Sequence, residues 1–316
     1  MDKQVQQAAM RAMLKKVGLS PEEAERRFQL ACSQKYWQDL NPQLSVGRTS
    51  VESVEAHAID SEERQDILRH LKLQHYFSTT RPLIQPAVAA RMLQGVAALR
   101  KAGWHEVFGF VYDEFWQVTR TPSLRQLLAD ALGEEFKALP QVVVHYVHPG
   151  IGAGWGPHVD FSDRCDRFTI WLALSDATVS NGCMYILPYN RIPQELRKKW
   201  ASNESLGREE VKKLLHATQT LPVSAGCVLG WEGDVIHWGA HSTDSENPRV
   251  SLSVVYIRAE KDPMVDEIPL LSAHTVPGFP ERLISVGNAI RFYQVHVPAL
   301  RKFSVLGQRL IREFNP

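Results

Sequence analysis

An antiparallel, mainly β core with flanking helices is the fold class this sequence predicts, and three observations predict it. From Gln141 to about Ile257 the chain breaks into short β-prone runs separated by glycine, proline and asparagine. Before Gln141 and after Leu300, apolar residues instead recur at helical spacing. The 316 residues, 44% of them hydrophobic, suffice for one large core. The organisation that follows is a single domain over residues 1–316. It has a helical extension over 1–70, a β core over 71–260 with a helical insertion at 191–220, and a helical C-terminal extension over 261–316.

Taken in order, Met10, Met13, Leu14 and Val17 share one helical face. Ser20-Pro21-Glu22-Glu23 then supplies an N-cap, a first-turn proline and a capping-box glutamate. Asp60-Ser61-Glu62-Glu63 repeats the signal ahead of Ile67, Leu68 and Leu71, and Val88, Met92, Val96 and Leu99 form a stripe ending near Gly103. Thr121-Pro122 opens a helix that carries Leu124, Leu127, Leu128 and Leu132 to Gly133. The β runs are Val142 to Val147, His158 to Phe161, Thr169 to Leu174, Cys183 to Leu187, Cys227 to His237 and Val250 to Ile257. Asn181-Gly182 between two of them signals a hairpin turn, whose central residues need positive φ. Pro193 to Thr218 is charged and helix-prone, a surface insertion whose functional version is a lid. Leu300 to Phe314 reads as a terminal amphipathic helix with basic residues on its wet face.

Lysine and arginine number 36 against 35 acidic residues, so nothing in the charge attracts a polyanion, and nucleic acid is not an expected partner. No segment approaches the roughly 20 apolar residues of a bilayer span, and the N-terminus lacks the core of a secretory signal. Cys32, Cys165, Cys183 and Cys227 are too scattered for a zinc ribbon or a disulfide scaffold, so a reducing, cytoplasmic setting is expected. Oligomeric state is not legible.

Residues two apart on a strand point the same way, so His158 and Asp160 can converge on one ion while Val159 turns into packing. A second imidazole from a distant strand would complete two histidines and one carboxylate on one face of a metal, an arrangement suited to non-haem Fe(II) and O2. His237 is the candidate, at the end of the run opened by Gly226, and His241 shares its strand parity four positions on. On the next run Arg249, Ser251 and Ser253 share one face while the alternate positions are apolar. An inward guanidinium offers a planar fork to a carboxylate, and Ser251 adds a hydroxyl beside it. The competing role for Arg249 is an ion pair with an internal acid.

With these residues in view, the chain from about Tyr76 to Tyr256 resembles the phytanoyl-CoA dioxygenase family of Fe(II)- and 2-oxoglutarate-dependent oxygenases. The likeness is carried by His158-Val159-Asp160, by Trp171 to Ala177 leading to Asn181-Gly182-Cys183-Met184 and Leu187-Pro188, and by Gly226 to His237 with Arg249-Val250-Ser251-Leu252 and Tyr256. It implies a double-stranded β-helix, the jelly-roll or cupin-like architecture. It also implies His158, Asp160 and His237 as iron ligands and Arg249 with Ser251 as the grip on 2-oxoglutarate. Trp171 resembles the family's aromatic at the co-substrate pocket. Because Asp160 is a carboxylate and not the glycine or alanine of halogenating members, hydroxylation is favoured over halogenation. His237 and Arg249 stand one position further apart than is usual, and Pro188-Tyr189-Asn190-Arg191 departs from the family's common loop.

Gly150, Gly152, Gly154 and Gly156 precede His158, but no helix follows to cradle a phosphate, so they read as a loop at the site's rim. Trp155 within it is a candidate to cover substrate. Phe108, Phe110, Tyr112, Phe115 and Trp116 read mostly as core, with Tyr112 or Trp116 as candidates to line a substrate cavity beside an amine-binding Asp113 or Glu114. His145 and His148 read as hydrogen-bonded or exposed. The expected function is a dioxygenase hydroxylating a small molecule with release of succinate and CO2. The alternatives are a metal-dependent hydrolase on the same ligands and a non-catalytic 2-oxoglutarate-binding relative.

Overall fold

The computed structural model describes residues 18–47, 53–161, 166–202, 204–258 and 270–314. The helical face of Met10 to Val17 lies outside them. The helices are α1 (Pro21–Ala31), α2 (Gln34–Leu40), α3 (Ser61–Gln74), α4 (Pro86–Lys101), α5 (Asp113–Gln117), α6 (Pro122–Leu132), α7 (Gln194–Ala201), α8 (Arg208–Ala217), α9 (Phe279–Tyr293) and α10 (Ser304–Phe314). The strands are β1 (Tyr76–Ser78), β2 (Phe136–Val147), β3 (Arg167–Ala173), β4 (Met184–Ile186), β5 (Gln219–Leu221), β6 (Val228–Glu232), β7 (His237–Gly239), β8 (Arg249–Arg258) and β9 (Leu271–Ser272). Helix starts follow the expected chemistry. Ser20 accepts from Glu23 N–H, Asp60 from Glu62 and Glu63 N–H, and Thr121 from Leu124 N–H.

Six strands form one antiparallel sheet in the order β1-β6-β3-β8-β2-β9, and β5-β4-β7 form a second. Strand parity divides the large sheet's side chains. Phe168, Ile170, Leu172, Val250, Leu252, Val254 and Tyr256 pack into the main core with α4, α6, α9 and α10, a cluster running from Phe28 to Leu310. Trp171, Ala173, Leu229 and Trp231 face the other way, meeting Met184, Ile186 and Leu221 of the small sheet. This is a jelly roll: two facing antiparallel sheets with helices outside the larger one.

Three expectations need correction. His158 to Phe161 is not a strand; Gly156-Pro157 and the turn behind them leave only a β-bridge between His158 and His237. The run Cys227 to His237 is two strands, β6 in the large sheet and β7 in the small one, separated by a turn at Gly233-Asp234. Asn181-Gly182 turns the chain without forming a hairpin, since β3 and β4 on either side belong to different sheets. Of the two, Gly182 alone has positive φ, and a Cβ there would lie 2.5 Å from the Ala240 carbonyl oxygen. The Asn181 side chain instead accepts from Thr178 N–H and donates to the Asp176 carbonyl. The long helix α9 was not singled out by periodicity, and its Gly278 start with Glu281 turning back to the Gly278 N–H is weak in sequence.

Candidate active site

The bridge between His158 and His237 is the geometric origin of the site. Each donates its backbone N–H to the other's carbonyl, at 3.1 and 3.0 Å, which brings the imidazole centroids to 4.4 Å. The Nδ1 atoms face the carbonyl oxygens of Gly156 at 2.7 Å and Val235 at 2.9 Å. A carbonyl only accepts, so the proton sits on Nδ1 and the lone pair on Nε2. Both Nε2 atoms lie 3.6 Å from Asp160 Oδ1. The other carboxylate oxygen, Oδ2, accepts from Thr169 Oγ1 at 2.6 Å and Trp231 Nε1 at 2.9 Å. Two sp2 nitrogens and one oxygen thus converge while every outward-facing atom is anchored, as metal ligands usually are.

Burial alone would raise the Asp160 carboxyl, but His237 and the hydrogen bonds from His158, Thr169 and Trp231 outweigh it and hold the group well below the usual carboxylate range. Burial keeps His237 below the ordinary imidazole value. At the more open His158 the downward pull of burial is overcome by Asp160 and the Gly156 carbonyl. His241 is an exposed residue whose Nδ1 faces the Ser242 carbonyl; of the two clusters able to hold an ion among the described residues, His158 with Asp160 and His237, and His75 with Glu232 and Asp234, neither includes it.

Arg249 opens β8 on the same interior face and is 2% exposed. Its Nη1 donates to Ser251 Oγ at 3.1 Å, and its Cζ lies 5.8 Å from the Trp171 ring. Burial lowers the guanidinium to about 10, which leaves it charged. Among the described residues no carboxylate pairs with it, and its Nε and the buried Trp171 Nε1 have no acceptor. A buried, unneutralised cation beside two free N–H donors is a strong demand for an anion. The close approach that makes room for it depends on Gly154 and Gly239: a Cβ on Gly239 would lie 2.7 Å from Arg249 Nη2, and one on Gly154 would lie 2.4 Å from Gly239 Cα. Ser251 is fully buried behind Arg249, so it fixes the fork from behind and does not touch the cavity.

Triad, Arg249 and Trp171 line one cavity, together with Gln141, His145, Trp155, Ser253 and Tyr293. Trp155 is held at its mouth because the rim loop runs antiparallel to β7, with Gly239 N–H donating to the Trp155 carbonyl at 3.1 Å. Tyr112 and Trp116 are not on the cavity wall, a correction to the expectation above. Both are fully buried, with the Tyr112 hydroxyl bonded to the Trp37 carbonyl and Trp116 Nε1 to that of Phe110. Their acidic neighbours are engaged elsewhere, Asp113 with Arg282 and Glu114 with Ser45. The insertion at 191–220 lines no part of the cavity among its described residues; Leu196, Leu214 and Ala217 pack against Leu187 and Ile236. Helix α9 supplies the cover through Phe292 and Tyr293.

Sequence reasoning missed Gln141 and Tyr293 and undervalued His145. Pro140 produces a bulge between Ala138 and Val142 that turns Gln141 inward. Burial, then the charge of Arg249, pushes His145 down to about 3, so it enters the cavity wall as neutral imidazole, 3.3 Å from Ser253 Oγ. Burial and the nearby Asp160 push the Tyr293 phenol up, so its hydroxyl keeps the proton.

Residues 81–251 match the phytanoyl-CoA dioxygenase family, a span that includes the triad, Arg249 and Ser251. A phytanoyl-CoA dioxygenase of Arabidopsis thaliana is 25% identical over 135 residues, covering 40% of this chain. The chain spans about half, 48%, of that relative's length. Among solved structures, the non-haem α-ketoglutarate-dependent epimerase SnoN from nogalamycin biosynthesis aligns with a TM-score of 0.51 at 16% identity, over 68% of this chain and 98% of its own. The nickel complex of the non-haem monooxygenase ThoJ gives 0.52 at 14%, over 74% of this chain and 100% of its own. EctD from S. alaskensis with bound Fe gives 0.51 at 14%, over 73% and 92%. At such identities the likeness establishes a shared fold.

Proposed function

The chain belongs to the phytanoyl-CoA dioxygenase family, and from that premise we propose that it is a non-haem Fe(II)- and 2-oxoglutarate-dependent oxygenase that hydroxylates a small organic molecule. The observation that carries this reading is the unneutralised Arg249 buried in the cavity of the His158, Asp160 and His237 cluster. Hydrolysis on the same three ligands does not by itself call for such a cation, whereas a dicarboxylate bound at the metal does.

In this reading His158 Nε2, His237 Nε2 and Asp160 Oδ1 would hold the ion, and Arg249 with Trp171 Nε1 would receive the far carboxylate of the keto-acid. The bound ion and keto-acid supply oxidative decarboxylation coupled to oxygen activation. The protein supplies placement. Thr169 and Trp231 keep Asp160 turned with one oxygen toward the ion. Gly156 and Val235 hold both imidazoles in the ligating tautomer. Trp155, Tyr293 and the wall of β2 and β8 enclose the space beside the ion and limit water there. Asp160 would itself be a ligand to the ion where a halide would otherwise need room, which favours transfer of oxygen.

The test is anaerobic reconstitution with Fe(II) and 2-oxoglutarate, followed by oxygen and a panel of small metabolites, reading succinate release and mass gain of one oxygen atom. Substrate-coupled succinate is expected. Hydrolysis without oxygen, or 2-oxoglutarate bound but never consumed with any substrate, would replace this reading by one of its alternatives.

A further inference from the structure

The cavity wall facing the triad is built from residues to which neither metal nor co-substrate gives a role. At its mouth the Trp155 ring is surrounded by others: His145 at 5.4 Å, Tyr293 at 5.5 Å, His158 at 5.6 Å and His296 at 6.1 Å between centroids. An indole set between the triad and the outer cleft offers a flat seat to whatever enters.

Tyr293 is the unusual member. The hydroxyls of the buried tyrosines Tyr76, Tyr112 and Tyr256 donate to Gln219, to the Trp37 carbonyl and to the Thr119 carbonyl. Among the described residues none accepts from Tyr293, although it lines both the inner cavity and the outer cleft. Tyr293 is half-buried, and the space in which its hydroxyl can find an acceptor is the cavity and cleft that it lines. Tyr293 also lies beyond residues 81–251, outside the span matched to the family.

Charge restricts the ligand further. Among the described residues, the fixed charges lining cavity and cleft are Arg100, Glu106, Asp160 and Arg249. Arg100 is paired with Glu106. On the proposed function, on which this inference rests, Asp160 and Arg249 are matched by a divalent ion and a dicarboxylate whose own charges cancel. Among the described residues no carboxylate remains for an ammonium group and no cation for a further anion, and a buried unpaired charge is costly. We infer that the substrate is an uncharged, ring-bearing molecule with an acceptor oxygen, seated against Trp155 and oriented by a hydrogen bond from the Tyr293 hydroxyl.

A matched set of probes tests this: 2-acetylnaphthalene, the acceptor-free 2-ethylnaphthalene, 2-naphthoate and 2-naphthylmethylammonium. Each is titrated anaerobically into protein loaded with Co(II) and 2-oxoglutarate, following tryptophan fluorescence and heat. The uncharged ketone is expected to bind about tenfold or more tighter than either ion. Tyr293→Phe should weaken the ketone about three- to tenfold, the range of one hydrogen bond, and leave the hydrocarbon unchanged. Trp155→Leu should weaken both. Equal or tighter binding of an ion overturns the uncharged class, and an unchanged ketone affinity in Tyr293→Phe overturns the hydrogen bond. Absence of binding by every probe overturns the seat on Trp155. Co(II) and 2-oxoglutarate titrations of Tyr293→Phe should match wild type. A wild-type protein that binds neither overturns the proposed function, and the charge argument with it, and that failure is read from these titrations alone.

Discussion

Arg249 concentrates the chemistry of the site in one side chain, because it is a buried cation with no acid beside it among the described residues. Leaving one member of a buried ion pair uncompensated costs roughly 3 to 5 kcal/mol, and each ~1.4 kcal/mol is tenfold in affinity. Arg249→Ala should therefore weaken 2-oxoglutarate about a hundredfold or more in a calorimetric titration, while metal affinity stays unchanged since Arg249 is no ligand. Arg249→Lys keeps the charge without the fork and should fall between the two. Near wild-type affinity in the alanine variant would remove Arg249 from this role. Its inward direction was legible from sequence, because strand parity sends Arg249, Ser251 and Ser253 one way and Val250, Leu252 and Val254 the other. What parity does not contain is depth. Ser251 shares the face of Arg249 yet lies behind it, and the aromatic cluster at Tyr112 and Trp116 has the same composition whether it fills a core or lines a cavity.

At the scale of elements, the site depends on segments that join the two sheets, and these were the least legible. β6 and β7 read as one run because the turn between them is confined to Gly233-Asp234 inside an otherwise largely apolar stretch, and α9 lies beyond residues 81–251 matched to the family. One element end carries a testable pH dependence. His105 precedes the 3-10 turn Glu106–Val111, and its Nδ1 accepts from Val107 N–H at 3.2 Å. Glu106 Oε2 lies 3.3 Å from the same nitrogen, but that carboxylate is engaged with Arg100, and burial, followed by Lys302 and Arg100, pushes His105 down to about 3. Its folded value is depressed below the unfolded 6.5, so the unfolded chain takes up the proton first as pH falls. The stability it confers is complete above pH ~6.5 and drains away toward pH ~3. His105→Asn keeps an acceptor for the turn without titrating, so its melting temperature should fall less between pH 7 and 4 than that of wild type. Parallel curves would show that protonation of His105 is not linked to unfolding.

For the whole molecule, the metal site is a tie between layers. Asp160 is held by Thr169 and Trp231 of the large sheet, while His237 opens β7 of the small one and pairs with His158 on the rim loop. An ion bound by all three would join large sheet, small sheet and loop at one point, and unfolding would have to release it. Ligand at about a thousand times its dissociation constant stabilises the folded state by ~4 kcal/mol, and each kcal/mol moves the midpoint of a domain this large by about 1.5 °C. Saturating Co(II) should thus raise the melting temperature by roughly 6 °C. 2-Oxoglutarate should add a second rise only when metal is present, and a chelator should reverse both. Asp160→Ala with His237→Ala removes two of the three ligands and should abolish the metal-dependent rise. A rise that survives in that double variant would place the ion elsewhere and separate the fold, which the sheets establish by themselves, from the centre proposed between them.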